Sequence, residues 1–150
     1  QCTGSGSTQA GLIAGFAAMG QKTRVIGVSD DEETTIKQGR VLKLARDVLK
    51  LTAIPGEVMP DDVEIIAADK SHYGERDAET MDAIRLFAQK EALIADPVYE
   101  GKAIRGLLEL NEQGRFEKGS KILLMHLGGS PAIHAYANQF DPIKLMKLPI

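Results

Sequence analysis

Apolar positions change period along the chain, and each change marks a boundary between helix and strand. Leu12 to Met19 is an apolar stretch of helical length that comes directly after a glycine-rich start. Thr23 to Val28 is a β-branched run between Gly20 and Ser29-Asp30, which predicts a buried strand. From Glu32 to Leu51, Val41, Leu44, Ala45 and Val48 recur at helical spacing and predict an amphipathic helix, stopped near Ile54-Pro55-Gly56. Val63 to Ala67 reads as a second strand. Met81, Ile84, Phe87 and Ala88 share one face of a helix over Glu79 to Leu93, and Ala103, Ile104, Leu107 and Leu108 do the same over Glu100 to Asn111. Lys121 to Met125 predicts a third strand, entered through the turn Glu117-Lys118-Gly119 and left through Leu127-Gly128-Gly129. Pro131 opens a short helix to Asn138, where proline lacks only an N–H that has no intrahelical partner.

Strands separated by helices predict an α/β fold: a mostly parallel open sheet with helices on both faces. Ligands of such sheets gather beyond the carboxyl ends of the strands. The opening loop, the segment after Ala67 and the segment after Met125 should therefore share one rim. No linker or repeat divides the chain, so residues 1–140 read as one domain and 141–150, with Lys144, Lys147 and two prolines, as a tail that packs as an arm or stays loose. The chain opens on Gln1-Cys2-Thr3, and the glycine-rich loop behind these residues needs a strand to hold it. Further sequence upstream is expected.

Composition narrows the function classes. With 43% of 150 residues hydrophobic, the chain can bury one core of ordinary size. A net charge of −3 gives no electrostatic footprint for nucleic acid, and no stretch has the length of a membrane helix. A single cysteine, Cys2, excludes an internal disulfide and predicts an intracellular, cytoplasmic protein. Cys2 itself reads as a small, inert residue at a strand end rather than a reactive thiol. His72, His126 and His134 lack metal-ligand spacing, so no metal is expected, with His126 the one most able to touch a site at a strand end. Asp30 to Glu33 reads as a solvated helix start.

The candidate chemistry begins in Gly4-Ser5-Gly6-Ser7-Thr8-Gln9-Ala10-Gly11. Glycines allow positive φ and bring several N–H groups to one point, the hydroxyls add donors, and the helix beyond them aims its positive end there. Such a loop suits a phosphate monoester. It lacks the lysine of a Walker loop, carries Gln9 where a dinucleotide fingerprint has glycine, and contains no Gly-x-Ser-x-Gly elbow. Taken alone, it is equally a flexible connection capped by Ser7 or Thr8.

Four blocks in order carry a resemblance: the opening loop, then Tyr73-Gly74, then Asp96-Pro97-Val98-Tyr99-Glu100-Gly101-Lys102-Ala103, then His126-Leu127-Gly128-Gly129-Ser130-Pro131-Ala132. Together they resemble the C-terminal part of the pyridoxal-phosphate enzymes that include 1-aminocyclopropane-1-carboxylate deaminase and D-cysteine desulfhydrase, of the tryptophan synthase β-like fold. The resemblance implies that Ser5, Gly6, Ser7 and Thr8 hold the phosphate of pyridoxal 5'-phosphate, that Leu127 and Gly128 border the cofactor, and that Tyr73 and Tyr99 face a small amino-acid substrate. It also implies that the Schiff-base lysine lies in the earlier half of the enzyme, so that Lys102, early in a helix, is a solvated or salt-bridged side chain. A homo-oligomer is implied as well.

Within that family the ring nitrogen of the cofactor often meets a Ser or Thr at the strand end matching Met125 to Gly128. Here Leu127 offers no such side chain, and Glu100 beside Tyr99 becomes the replacement. A carboxylate there favours a protonated ring and a strong electron sink. This pairing leans to the deaminase, giving 2-oxobutanoate and ammonia, over the desulfhydrase, giving pyruvate, ammonia and sulfide. A tyrosine with its phenol pushed down in pKa by the cationic cofactor would serve as nucleophile, acid or base. Away from the resemblance, Tyr99 simply packs at a helix start, Glu100 complements a helix dipole, Leu127 is core and Tyr73 a loop aromatic. A non-catalytic module that binds a phosphorylated ligand is the reading from another class.

Overall fold

The computed structural model describes residues 1–67, 73–75 and 77–140. Three strands, β1 (Cys2–Thr3), β2 (Ile26–Ser29) and β3 (Glu64–Ala67), lie side by side in chain order, all parallel. Parallel neighbours need crossover connections, and the crossovers here are helices: α1 (Ser7–Ala18) between β1 and β2, and α2 (Thr34–Thr52) between β2 and β3. After β3 come α3 (Ala78–Glu91) and α4 (Glu100–Glu112). The parallel α/β sheet expected from the alternating pattern is the one observed.

Adjacent residues of β2 show how the two faces are covered, because successive side chains of a strand point to opposite sides. A Cβ on Gly27 would lie 2.1 Å from Gln9 Oε1 of α1, so only glycine fits beneath that helix. Val28, the next residue, meets Gly106 of α4 on the other face, where a Cβ on Gly106 would come within 2.7 Å of Val28 Cγ2. Helices therefore sit on both faces. One core gathers Ala10, Ile13 and Ala14 of α1 with Val41, Ala45 and Leu49 of α2; a second gathers Met81 and Ile84 of α3 with Ile104 of α4.

Gln9 fixes α1 to the sheet. Its Nε2 donates to the carbonyls of Val25 (3.2 Å) and Glu64 (2.9 Å), and its Oε1 accepts from Thr3 Oγ1 (2.8 Å). One buried amide thus ties the helix to all three strand segments, each bond satisfying a polar group that burial would otherwise penalise. Asp77 caps α3 by accepting from Thr80 N, and Arg105 of α4 pairs with both Asp77 and Glu79, locking the two helices together.

Several expectations are corrected. Lys121 to Met125 forms no strand: a strand needs a neighbouring backbone in register, and none of the described strands pairs with this segment. The short helix is a 3-10 segment, Ser130–Gln139, kinked at Tyr136, not an α-helix. Helix α1 begins at Ser7, earlier than the apolar stretch, because Gly6 takes φ 90° and its carbonyl accepts from Ala10 N (2.9 Å). Lys102 is not solvated: it is fully buried, and its Nζ donates to the Asp30 carbonyl (2.6 Å). Asp30 is buried too, so the acidic cluster is not wholly a solvated helix start; Asp31 and Glu33 are exposed, and Glu33 caps α2 by accepting from Thr35 N and Ile36 N. His72 and the expected tail 141–150 lie outside the described residues. Among the described residues no helix is long and apolar enough to cross a membrane.

Candidate active site

A cavity of about 610 Å³ opens at the carboxyl ends of the strands. Its wall is built from residues just beyond each strand: Gly4 and Ser5 after β1, Asp30 and Asp31 after β2, and Tyr73 after β3. Tyr99 and Glu100 enter from the start of α4, and Leu127, Gly128 and Gly129 from the segment after Met125. The predicted rim is the observed one. Of the residues singled out by the sequence, Ser5, Tyr73, Tyr99, Glu100, Leu127 and Gly128 line this cavity. Gly6, Ser7 and Thr8 continue from Ser5 into the first turn of α1 without being part of the wall.

The opening loop has the build of an anion site. Gly6 in the left-handed region turns the chain so that α1 starts at Ser7, which leaves the N–H groups of its first turn without helical partners. Ser5 Oγ and Ser7 Oγ are 3.2 Å apart and both side chains are exposed, as is Thr8.

Glu100 is 3% exposed and divided in its bonding. Its Oε1 accepts from the backbone N–H of Leu127 (3.1 Å), whereas Oε2 is buried with no hydrogen-bond partner among the described residues. Burial raises the Glu100 carboxyl above its ordinary value, against the opposing pull of the Leu127 N–H. The sequence assigned Leu127 by what its side chain lacks. The structure adds that its backbone orients the carboxylate.

Tyr73 and Tyr99 are hydrogen-bonded through their phenols, with ring centroids 5.9 Å apart at 63°. That bond, and then burial, push the Tyr99 phenol above its ordinary value. The chain's own groups thus act against the depressed phenol expected from the sequence, and hold the proton on Tyr99. Cys2 also lines the cavity, and burial raises its thiol to about 12, as suits an inert residue. His126 sits at the expected position after Met125, where its Nε2 bonds with the Ile94 carbonyl (3.0 Å).

Asp96 went unassigned in the sequence and organises this wall. It is fully buried; Oδ1 accepts from Val98 N and Tyr99 N (both 2.8 Å) and Oδ2 from Glu100 N (3.1 Å). One carboxylate therefore sets the backbone of both Tyr99 and Glu100. The available signal was Asp96-Pro97 just ahead of a helical run, the pattern of a helix start. Lys37, Asp31 and Arg40 are further lining residues the sequence reading missed.

A carboxylate in the wall of a cavity that has a glycine-hydroxyl turn at another edge, with one oxygen lacking a donor among the described residues, fits a ligand with a cationic N–H and an anionic phosphate. Comparison with known proteins gives the same chemistry. Residues 1–128 match the family model described as pyridoxal-phosphate dependent enzyme. The chain is 44% identical over 141 residues to the 1-aminocyclopropane-1-carboxylate deaminase of Bradyrhizobium diazoefficiens, covering 93% of this chain and 42% of the relative. It is 43% identical to that of Mesorhizobium japonicum over the same shares. A solved structure described as an ACC deaminase homologue superposes with a TM-score of 0.81 at 31% identity, covering 92% of this chain and 41% of that one. The chain thus spans less than half the length of these relatives. With the family match running through the loop, the tyrosines and Glu100 to Gly128, the chain belongs to the pyridoxal-phosphate dependent enzymes.

Proposed function

We propose that the enzyme containing this chain opens 1-aminocyclopropane-1-carboxylate, consuming water and releasing 2-oxobutanoate and ammonia. The observation that carries this reading is Glu100: a buried carboxylate with one oxygen fixed by Leu127 N and the other lacking a donor among the described residues. Residues 1–140 would form the part of the catalytic domain that binds the cofactor's phosphate and ring nitrogen, with 141–150 as a tail. The Schiff-base lysine would come from sequence outside this chain.

Pyridoxal phosphate, when bound, withdraws electrons from the bonds at the substrate's α-carbon. The chain's own residues determine how strongly it does so and on what. Ser5, Gly6, Ser7 and Thr8 bind the phosphate through hydroxyls and the N-terminal N–H groups of α1. The Glu100 carboxylate would accept from the ring N–H and hold that proton in place, with Leu127 N keeping the carboxylate oriented. Leu127 and Gly128 line the cavity where they would border the ring, and Gly128 adds no side chain to it. Tyr73 and Tyr99 would face the small amino acid, with Tyr99 holding its proton as a neutral hydrogen-bonding phenol.

The intact enzyme given the cyclopropane substrate should yield 2-oxobutanoate, and D-cysteine should yield no sulfide. Sulfide without 2-oxobutanoate overturns the proposal. Glu100→Gln should lower turnover by about two orders of magnitude, the scale of a positioned acid–base group, while leaving cofactor affinity nearly intact. Turnover equal to that of the parent enzyme would remove Glu100 from the mechanism.

A further inference from the structure

Lys37 lies on α2, in none of the four blocks that carry the family resemblance, yet it is 1% exposed and reaches the cavity. Its ammonium donates to the Gly4 carbonyl (2.7 Å), to Asp30 Oδ1 (2.9 Å) and to Asp31 Oδ1 (3.3 Å). An ammonium has three protons, and these partners use them all. Lys37 therefore offers no donor to a ligand, and its contribution must come through what it holds. Gly4 opens the glycine turn; a Cβ there would lie 2.9 Å from Asp30 Oδ2 and 3.5 Å from the Tyr99 ring. The turn is thus pressed between Asp30 and Tyr99 and tied by its first carbonyl to a buried cation.

We propose that Lys37 is a positioning residue for anion binding: by holding the Gly4 carbonyl away from the cavity and cancelling the Asp30 charge, it leaves the N–H groups and hydroxyls of the Gly4 to Thr8 turn facing an incoming phosphate. A peptide unit whose carbonyl is bound on one side presents its N–H to the other, and an uncompensated Asp30 carboxylate beside the turn would repel an anion. Lys102, buried on α4, donates to the Asp30 backbone carbonyl and holds the same corner from the opposite face of the sheet. Burial and the neighbouring Asp31 raise the Asp30 carboxyl, and the Lys37 ammonium, which also lies within 4 Å of Asp31 and Glu32, pulls against them. This inference rests on the phosphate reading of the loop.

The test compares the affinities of the intact enzyme for pyridoxal 5'-phosphate and for pyridoxal, which lacks the phosphate. Their ratio reports the turn alone, and general loosening of the fold does not move it. Lys37→Met strands a buried Asp30 charge and can unfold the protein. The decisive variant is therefore Lys37→Met with Asp30→Asn, which removes both charges together. It should reduce the ratio by about tenfold, or about 1.4 kcal/mol, with pyridoxal affinity unchanged. Lys37→Arg, which keeps charge and donors, should recover most of the ratio. Ser7→Ala with Thr8→Ala serves as the reference. If that pair lowers the ratio and the Lys37 double variant leaves it at the parent value, Lys37 has no positioning role. If neither variant changes the ratio, the loop itself is not the phosphate site, and this inference falls with it.

Discussion

At the scale of single residues the site depends on close approaches that leave no room for side chains. Gly129 takes φ 80°, and a Cβ there would sit 2.5 Å from Asp96 Oδ2, the oxygen that accepts from Glu100 N. Gly129→Ala should therefore displace Asp96, and with it Tyr99 and Glu100, costing about 2 kcal/mol from left-handed strain and weakened hydrogen bonds and lowering turnover. Denaturant unfolding and a steady-state assay check the two effects together, and loss of stability without loss of turnover would separate Asp96 from the site. The sequence made Tyr99 and Glu100 visible because both stand in a recognisable block. Lys37 was hidden by its charge, although a signal existed: Lys37, Val41, Ala45 and Leu49 recur every fourth residue and are the buried face of α2. A lysine in register with an apolar stripe is a buried lysine with partners, and tracing the stripe back one turn would have found it.

Helices were more legible than strands because helical periodicity is local. The four helices fall where the apolar spacing put them, with boundaries displaced by caps such as Gly6, Glu33 and Asp77. Lys121 to Met125 has the composition of a strand, but pairing is decided by a distant backbone, which composition does not contain. The helix ends carry a prediction of their own. Helices α2 and α3 stop at Ala53 (φ 52°) and Ala92 (φ 54°), non-glycine residues in the left-handed region. That conformation costs an L-residue about 1–2 kcal/mol, whereas glycine adds about 0.5–1 kcal/mol of unfolded-state entropy. Ala53→Gly should thus stabilise the protein by about 0.5 kcal/mol, seen as a higher denaturant midpoint at unchanged slope. A lower midpoint would show that the Ala53 backbone is not strained in solution.

Over the whole molecule, the parallel order of the strands brings loops far apart in sequence to one rim, which explains why the site could be located from topology before any side chain was placed. Charge on that frame gives stability two opposing pH dependences. Burial opposes ionisation of Asp77, but the Thr80 hydrogen bonds and Arg105 outweigh it and hold its carboxyl below the ordinary 3.8. Its stabilisation is complete above that value and is lost as pH falls through the lower folded value. Glu100 is displaced the other way: raised by burial above 4.5, it makes the folded state bind more protons, so stability falls as pH rises from 4.5 through the folded value. In the cofactor-free protein, Asp77→Asn should flatten the acid limb, and Glu100→Gln should gain on the parent as pH rises and lose that advantage at acid pH. Thermal melts across pH measure both, and a Glu100→Gln advantage that shrank as pH rose would contradict the burial of the carboxylate.

Gly6 sits so close to α2 that a Cβ there would come within 2.9 Å of Val41 Cγ2. Val41 is fully buried in the core between α1 and α2, so the turn proposed to hold the phosphate rests directly on core packing. With that turn in its proposed role, an engineer who enlarged position 41 to harden this protein against heat would be retuning its cofactor grip at the same stroke, and selection for thermal tolerance would meet the same obstacle.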